Sequence, residues 1–191
     1  MMVLACLFHH PRSQQVIVAG ALLASSAVAQ TVSRGGKVED LAARAERLEA
    51  QGKWEDAAAS YREILGLDPR SIPALNRLGA LCVRQEKFRE GIKYYQQALQ
   101  FVPNDFGTNL NLGIAYIKRQ DYTAAATPLE KATRADPGNL QARQLLAVAL
   151  IGKDDYQRAL PHLEKIAGLN SRDLGIVYLL NRAYLATKQY E

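Results

Sequence analysis

The sequence has few of the residues that build disulfide frameworks and metal sites. Its 191 residues include two cysteines, Cys6 and Cys82, and three histidines, of which only His162 lies beyond residue 10. A disulfide framework needs at least four cysteines, and a histidine-rich metal site or a Ser-His-Asp triad needs histidines that this chain lacks. We therefore expect no metal site, no cofactor and no catalytic residues, and we expect His162 to lie on a solvated helix surface.

The short motifs that mark common active sites are also absent from the sequence. There is no HExxH, no GxSxG and no calcium-binding loop. Gly35-Gly36-Lys37 is similar to the end of a phosphate-binding loop, but the earlier glycine and the preceding strand are missing. Asp154-Asp155 is a carboxylate pair, and it is better explained as a polar turn. The chain is therefore not expected to be an enzyme.

The charge of the chain is modest and spread out. Lys and Arg number 24 against 19 Asp and Glu, giving a formal charge of +5, and no basic block occurs between Arg34 and Lys188. A nucleic-acid-binding surface normally shows as a concentrated basic stripe with stacking aromatics. We expect no nucleic-acid partner. The hydrophobic fraction of 48% predicts a folded chain.

No apolar run reaches the roughly 20 residues that a membrane-spanning helix needs. The longest, residues 16–29, follows Arg12 and ends in Ala27-Val28-Ala29, a small-x-small cleavage pattern. This layout predicts a signal peptide over residues 1–29 and an exported protein, either periplasmic or secreted. An uncleaved membrane anchor formed by residues 16–29 is the alternative, because Arg12 is the only full positive charge ahead of the run.

Five aromatic residues recur at intervals of 34 residues: Trp54, Phe88, Tyr122, Tyr156 and Tyr190. A column of small residues follows three positions later, at Ala57, Gly91, Ala125 and Ala159. A column of large residues comes next, at Tyr61, Tyr95, Leu129 and Leu163. Repeats of this length indicate stacked supersecondary units.

Each 34-residue period is divided into two helices. Apolar residues recur at helical spacing within it, and prolines at 69, 103 and 137 mark the joins between periods. Shorter polar breaks around residues 52, 86, 120 and 154 divide every period in two. The unit is a helical hairpin, in which the small residues let two helices approach and the large ones fill the space between hairpins.

The pattern resembles the tetratricopeptide repeat in its period and in its signature residues. Residues 106–139 match best, with these positions in the expected slots: Leu112-Gly113, Tyr116, Tyr122, Ala125, Ala132 and Pro137. The resemblance implies an all-α fold, a right-handed superhelical α-solenoid of helical hairpins. Arg143 replaces an apolar residue that is usual in the first helix, which indicates a local change in the fourth repeat.

The resemblance also divides the chain. After a linker over residues 30–37, we assign four repeats to residues 38–71, 72–105, 106–139 and 140–173, and the first helix of an incomplete fifth repeat to residues 174–191. A lone first helix leaves its apolar face without a partner. We therefore expect the sequence to be a fragment of a longer protein.

In proteins with this fold, partners lie on a concave face lined by the first helices. The family's groove positions, transferred to this sequence, are Asn76, Val83, Arg84, Leu110, Ile114, Ile117, Lys118, Gln144, Val148, Ile151, Tyr178, Arg182 and Leu185. The carboxylate clamp of chaperone-binding relatives is not expected, because Ala42 and Glu46 occupy its places in the first repeat.

The resemblance implies a non-catalytic protein-interaction scaffold. Its partner would be another protein, which presents an extended peptide or an amphipathic helix to the concave face. An exported protein of this kind is expected to serve envelope or secretion-related assembly. The alternative is the docking segment of a larger exported enzyme whose catalytic domain lies beyond residue 191.

Overall fold

The computed structural model describes residues 34–169 and 173–187, which form helices and no strands. The helices are α1 (residues 34–50), α2 (Trp54–Leu67), α3 (Ile72–Arg84), α4 (Phe88–Phe101), α5 (Phe106–Lys118), α6 (Tyr122–Ala135), α7 (Leu140–Gly152), α8 (Tyr156–Leu169) and α9 (Leu174–Thr187). The all-α prediction is confirmed. The predicted signal peptide, and with it the alternative membrane anchor, lies outside the described residues.

The predicted linker over residues 30–37 is wrong in its second half, because residues 34–37 belong to α1. Two glycines suggested a break there, yet a helical glycine costs only about 1 kcal/mol relative to alanine. Leu41 and Ala45 are buried against α2 and α3. This packing further along α1 holds the helix in place and offsets the cost of the glycines.

The helices form an α-solenoid in which each packs mainly on the next one in sequence. We call α1, α3, α5, α7 and α9 the first helices and α2, α4, α6 and α8 the second helices. Contacts also join α3 to α5 and α5 to α7, so neighbouring first helices lie side by side. The first helices α3, α5 and α7 therefore share one continuous face.

The turns between first and second helices repeat the same backbone geometry. Gly52, Glu86, Gln120 and Asp154 all have φ between 61° and 73°, and they are 34 residues apart. A left-handed residue at this position ends a helix and turns the chain back. The predicted polar breaks within each period are confirmed.

The small and large columns form the core. Ala57, Ala125 and Ala159 are fully buried. One close approach is between α3 and α4, where a Cβ at Gly79 would lie 2.6 Å from Cε1 of Tyr95, and one at Gly91 would lie 2.8 Å from the carbonyl oxygen of Gly79. Only glycine leaves room for this contact, so the predicted role of the small column is confirmed.

Arg143 of α7 is buried, with 8% of its surface exposed. Its Nη2 donates to the carbonyl oxygen of Pro137 at 2.6 Å, and its Nη1 lies 3.4 Å from Nδ1 of His162. No carboxylate of a described residue pairs with it. The expected solvated surface for His162 is wrong, because its imidazole is half-buried and packs beside this guanidinium.

We expect the stability of the protein to depend on the charge of His162. Burial, together with the charges of Arg143 and Arg158, lowers the pKa of His162 below its ordinary value of 6.5, and Glu130 opposes this shift. The unfolded chain then binds the proton first, so the free energy of unfolding should fall as the pH drops through 6.5. It should level off below the folded pKa.

Urea unfolding at a series of pH values measures this effect. His162→Gln keeps an oxygen acceptor for Arg143 but does not titrate, so the variant should lose the part of the fall that begins near pH 6.5. Identical pH profiles for the variant and the parent would show that His162 does not control stability.

Candidate interaction groove

An open cavity of about 550 Å³ lies on the face of the first helices. Its lining comes mainly from the C-terminal halves of α3 and α5. Further lining residues come from the end of α1, the start of α2, the turn that follows α3, and α4. Four of the predicted groove residues line it: Val83, Arg84, Ile114 and Lys118. We call this cavity the α3–α5 groove.

The thirteen predicted groove residues differ in exposure. Six are exposed: Arg84, Lys118, Gln144, Tyr178, Arg182 and Leu185. Five are half-buried: Asn76, Val83, Ile114, Ile117 and Val148. Two are buried, Leu110 at 9% and Ile151 at 3% exposure, within the core of the C-terminal repeats. The prediction of Leu110 and Ile151 as groove residues is wrong, because the surrounding core covers them.

Trp54 is one of the lining residues that the sequence did not reveal. The guanidinium carbon of Arg84 lies 3.8 Å from the centre of its ring. A guanidinium stacked on an indole is favoured by the charge distribution of the ring. The stack fixes the position of Arg84 at the end of α3. In the sequence, Trp54 is only a marker of the 34-residue period.

Asn76 holds the fold together. Its Nδ2 donates to Oγ1 of Thr108 at 2.8 Å, and the same hydroxyl lies 2.6 Å from Oδ2 of Asp105. Asp105 also caps α5 by accepting from the backbone nitrogen of Thr108 at 2.7 Å. This network ties α3 to the start of α5, so the amide of Asn76 serves the fold and not only a ligand.

One ion pair borders the groove. Nη1 of Arg77 lies 3.6 Å from Oε2 of Glu49, and Oε1 of Glu49 accepts a hydrogen bond from the hydroxyl of Tyr61 at 2.8 Å. Burial and the nearby carboxylate raise the pKa of Tyr61, so this hydroxyl remains a donor at neutral pH. Both carboxylate oxygens of Glu49 therefore have partners within the protein.

A second pairing of a cation with an aromatic ring lies further along the same face. Nη2 of Arg182 donates to the hydroxyl of Tyr156 at 3.1 Å, and its guanidinium carbon lies 5.7 Å from the ring centre. Tyr178 is close in sequence and 65% exposed. The C-terminal helices therefore carry the same combination of a cation and aromatic surface.

The described residues contain no grouping of three or more side chains suited to holding a metal ion. None of the helices within residues 34–169 and 173–187 has the length and apolar character needed to cross a membrane.

Family models match the chain over most of its helical part. Two tetratricopeptide-repeat models match residues 42–106 and 83–149, which together make up more than half of the chain. A model described as anaphase-promoting complex, cyclosome, subunit 3 matches residues 118–191. The chain belongs to the tetratricopeptide-repeat family.

Solved structures share the fold. YrrB, a tetratricopeptide-repeat protein with an unusual peptide-binding site, aligns with a TM-score of 0.73 at 20% identity, covering 79% of this chain and 78% of that one. MamA from Desulfovibrio magneticus RS-1 aligns with a TM-score of 0.73 at 18% identity, covering 80% and 86%. A tetratricopeptide-repeat protein from Parabacteroides merdae gives 0.66 at 18%, covering 80% and 59%. Among curated proteins, none matches the sequence.

Proposed function

We propose that the protein is a non-catalytic interaction scaffold that binds a peptide or helical segment of a partner protein along its first helices. The observation that carries this proposal is the α3–α5 groove, where the exposed cations of Arg84 and Lys118 border the half-buried aliphatic side chains of Val83 and Ile114. Aliphatic contact supplies affinity, and charged groups at the rim fix orientation and speed encounter.

The size and openness of the groove suit such a ligand. A cavity of about 550 Å³ holds a few side chains of a bound segment. The rest of the segment would continue over the face formed by α5, α7 and α9, where Val148 and Tyr178 offer further apolar surface. The peptide-binding site of YrrB, which has a similar fold, supports this use of the architecture.

We further propose that the protein acts outside the cytoplasm, in envelope or secretion-related assembly. The support is the apolar run at residues 16–29 with its Ala27-Val28-Ala29 cleavage pattern. Removal of residues 1–29 would leave a chain that begins at Gln30.

Affinity capture from the native extracytoplasmic fraction tests both proposals. Arg84→Glu combined with Lys118→Glu should reduce capture of the bound partner about tenfold or more, equivalent to at least about 1.4 kcal/mol of binding free energy. Lys93→Glu combined with Lys165→Glu makes the same charge change at exposed positions on second helices, and it should have little effect. The mass of the mature N-terminus should correspond to a start at Gln30.

Circular dichroism must show the same helicity in both double variants. Equal capture by the parent and by the groove variant would show that partners do not use the α3–α5 groove. A mature chain that retains residues 1–29 would contradict signal cleavage and favour the membrane anchor.

A further inference from the structure

Charge is distributed unequally between the two sets of helices. From α3 onward, the first helices contain no Asp or Glu. They carry five cationic residues: Arg77, Arg84, Lys118, Arg143 and Arg182. Every second helix, in contrast, carries at least one Glu. The side-chain charge is therefore of one sign on each of these four first helices.

Two of these five cations differ from the other three in having no polar partner within the described residues. Arg77 pairs with Glu49, Arg143 is buried, and Arg182 donates to Tyr156. Within the described part of the chain, Arg84 and Lys118 make no hydrogen bond or ion pair, although both line the α3–α5 groove. The two residues are 34 positions apart and end α3 and α5.

The position of these two cations is fixed to different degrees. The stack on Trp54 holds the guanidinium of Arg84 and leaves the N–H groups around its edge free to donate. A carboxylate can accept two of these bonds at once. Lys118 follows one repeat later on the neighbouring first helix, which places its chain attachment roughly 10 Å away, the usual separation of packed helices.

We propose that the ligand of the α3–α5 groove is an acidic, aliphatic peptide segment, with one carboxylate on Arg84 and a second near Lys118. This inference rests on the proposed interaction function and names the chemical class of its partner. Two carboxylates about three residues apart in an extended chain span a distance of this order. The aliphatic side chains between them would contact Val83 and Ile114.

The lining favours a peptide over a nucleic acid. Nucleic acids are bound without sequence preference by aromatic faces on which bases stack. In this groove Arg84 covers the face of Trp54, Tyr95 is buried and Phe88 is half-buried. Val83 and Ile114 offer aliphatic surface, which suits Leu or Ile side chains of a ligand.

Glu86 is the acidic residue that opposes this charge. It lies in the turn directly after Arg84 and lines the groove, whereas the other acid of the lining, Glu49, is neutralised by Arg77. Removing the charge of Glu86 should therefore tighten binding of an acidic ligand severalfold. Favourable interaction with helix C-termini is an alternative reason for Arg84 and Lys118, but α7 and α9 end without a basic residue in their last turns.

Tryptophan fluorescence provides the test, because Trp54 is the only tryptophan of the chain and lies under Arg84. The probe is a synthetic peptide in which Glu recurs at every third position with Leu between, and the matched peptides replace Glu by Gln or by Lys. We expect saturable binding of the Glu peptide at least about tenfold tighter than that of the Gln peptide. The Lys peptide should not bind.

Three variants make the assignment specific. Arg84→Gln combined with Lys118→Gln should weaken binding of the Glu peptide about tenfold or more. The fluorescence anisotropy of a labelled peptide measures this binding. Lys93→Gln combined with Lys165→Gln is the matched control on second helices and should bind like the parent. Glu86→Gln should bind more tightly than the parent.

Several outcomes would overturn the assignment. Equal affinity for the Glu and Gln peptides, equal loss in the two double variants, or tighter groove-dependent binding of single-stranded DNA than of the Glu peptide would each do so. Undiminished capture of a native partner by the Arg84→Gln, Lys118→Gln variant would remove the acidic ligand while leaving the scaffold function intact. Unchanged helicity of every variant separates these results from loss of folding.

Discussion

Replacing Tyr95 with Ala is expected to lower the free energy of unfolding by about 3–5 kcal/mol, the range for a large aromatic side chain removed from a core. Tyr95 is 2% exposed, and its ring fills the space above Gly79. The α3–α4 approach depends on this fit between a glycine and a ring. Since a domain is stable by only about 5–15 kcal/mol, the variant should be close to unfolding at moderate urea concentrations.

The matched control is Tyr178→Ala, which makes the same change at a side chain that is 65% exposed. Exposed substitutions usually stay within about 0.5 kcal/mol. Urea titrations followed by circular dichroism measure both variants. A loss for Tyr95→Ala no larger than that for Tyr178→Ala would show that the ring does not hold the two hairpin helices together.

Arg143→Glu is expected to cost about 3–5 kcal/mol of unfolding free energy, as expected for an unpaired buried charge. The guanidinium donates to the carbonyl oxygen of Pro137 at 2.6 Å. A carboxylate in its place cannot donate, and it would lie near that oxygen without a cation to pair with. Calorimetric melting of the variant and the parent measures the effect.

Two other substitutions serve as controls for Arg143→Glu. Arg143→Met keeps much of the apolar stem and removes a buried charge that no described carboxylate neutralises, so its cost should stay near 1 kcal/mol. Arg44→Glu changes an exposed first-helix arginine in the same way and should have little effect. Equal melting temperatures for the two Glu variants would contradict the importance of the buried site.

The sequence was sufficient to predict the fold because the determinants of this fold are local and periodic. The small and large columns at intervals of 34 residues specify where two helices meet, and the polar breaks specify where the chain turns. A repeat array uses the same contacts many times. A position that departs from the pattern in one repeat is therefore outweighed by the equivalent positions in the others. Gly35 and Gly36 misled the prediction because packing further along the helix outweighed local propensity.

The groove was predicted less completely, since exposure depends on contacts between helices that are distant in sequence. Leu110 and Ile151 occupy groove positions of the family but lie in the core of this chain. The stack of Arg84 on Trp54 joins residues 30 positions apart on different hairpins, and no motif announces it. Four of the predicted residues line one cavity, and only the packed structure distinguishes their exposed side chains from the buried ones.

The packing of each helix mainly on its sequence neighbours has a consequence for cooperativity. Such an array can lose structure in one stretch while the remainder stays intact, so partly folded states lie low in free energy. A bound peptide that contacts both α3 and α5 would link two helices that are otherwise connected mostly through α4. Binding would then couple the unfolding of adjacent repeats.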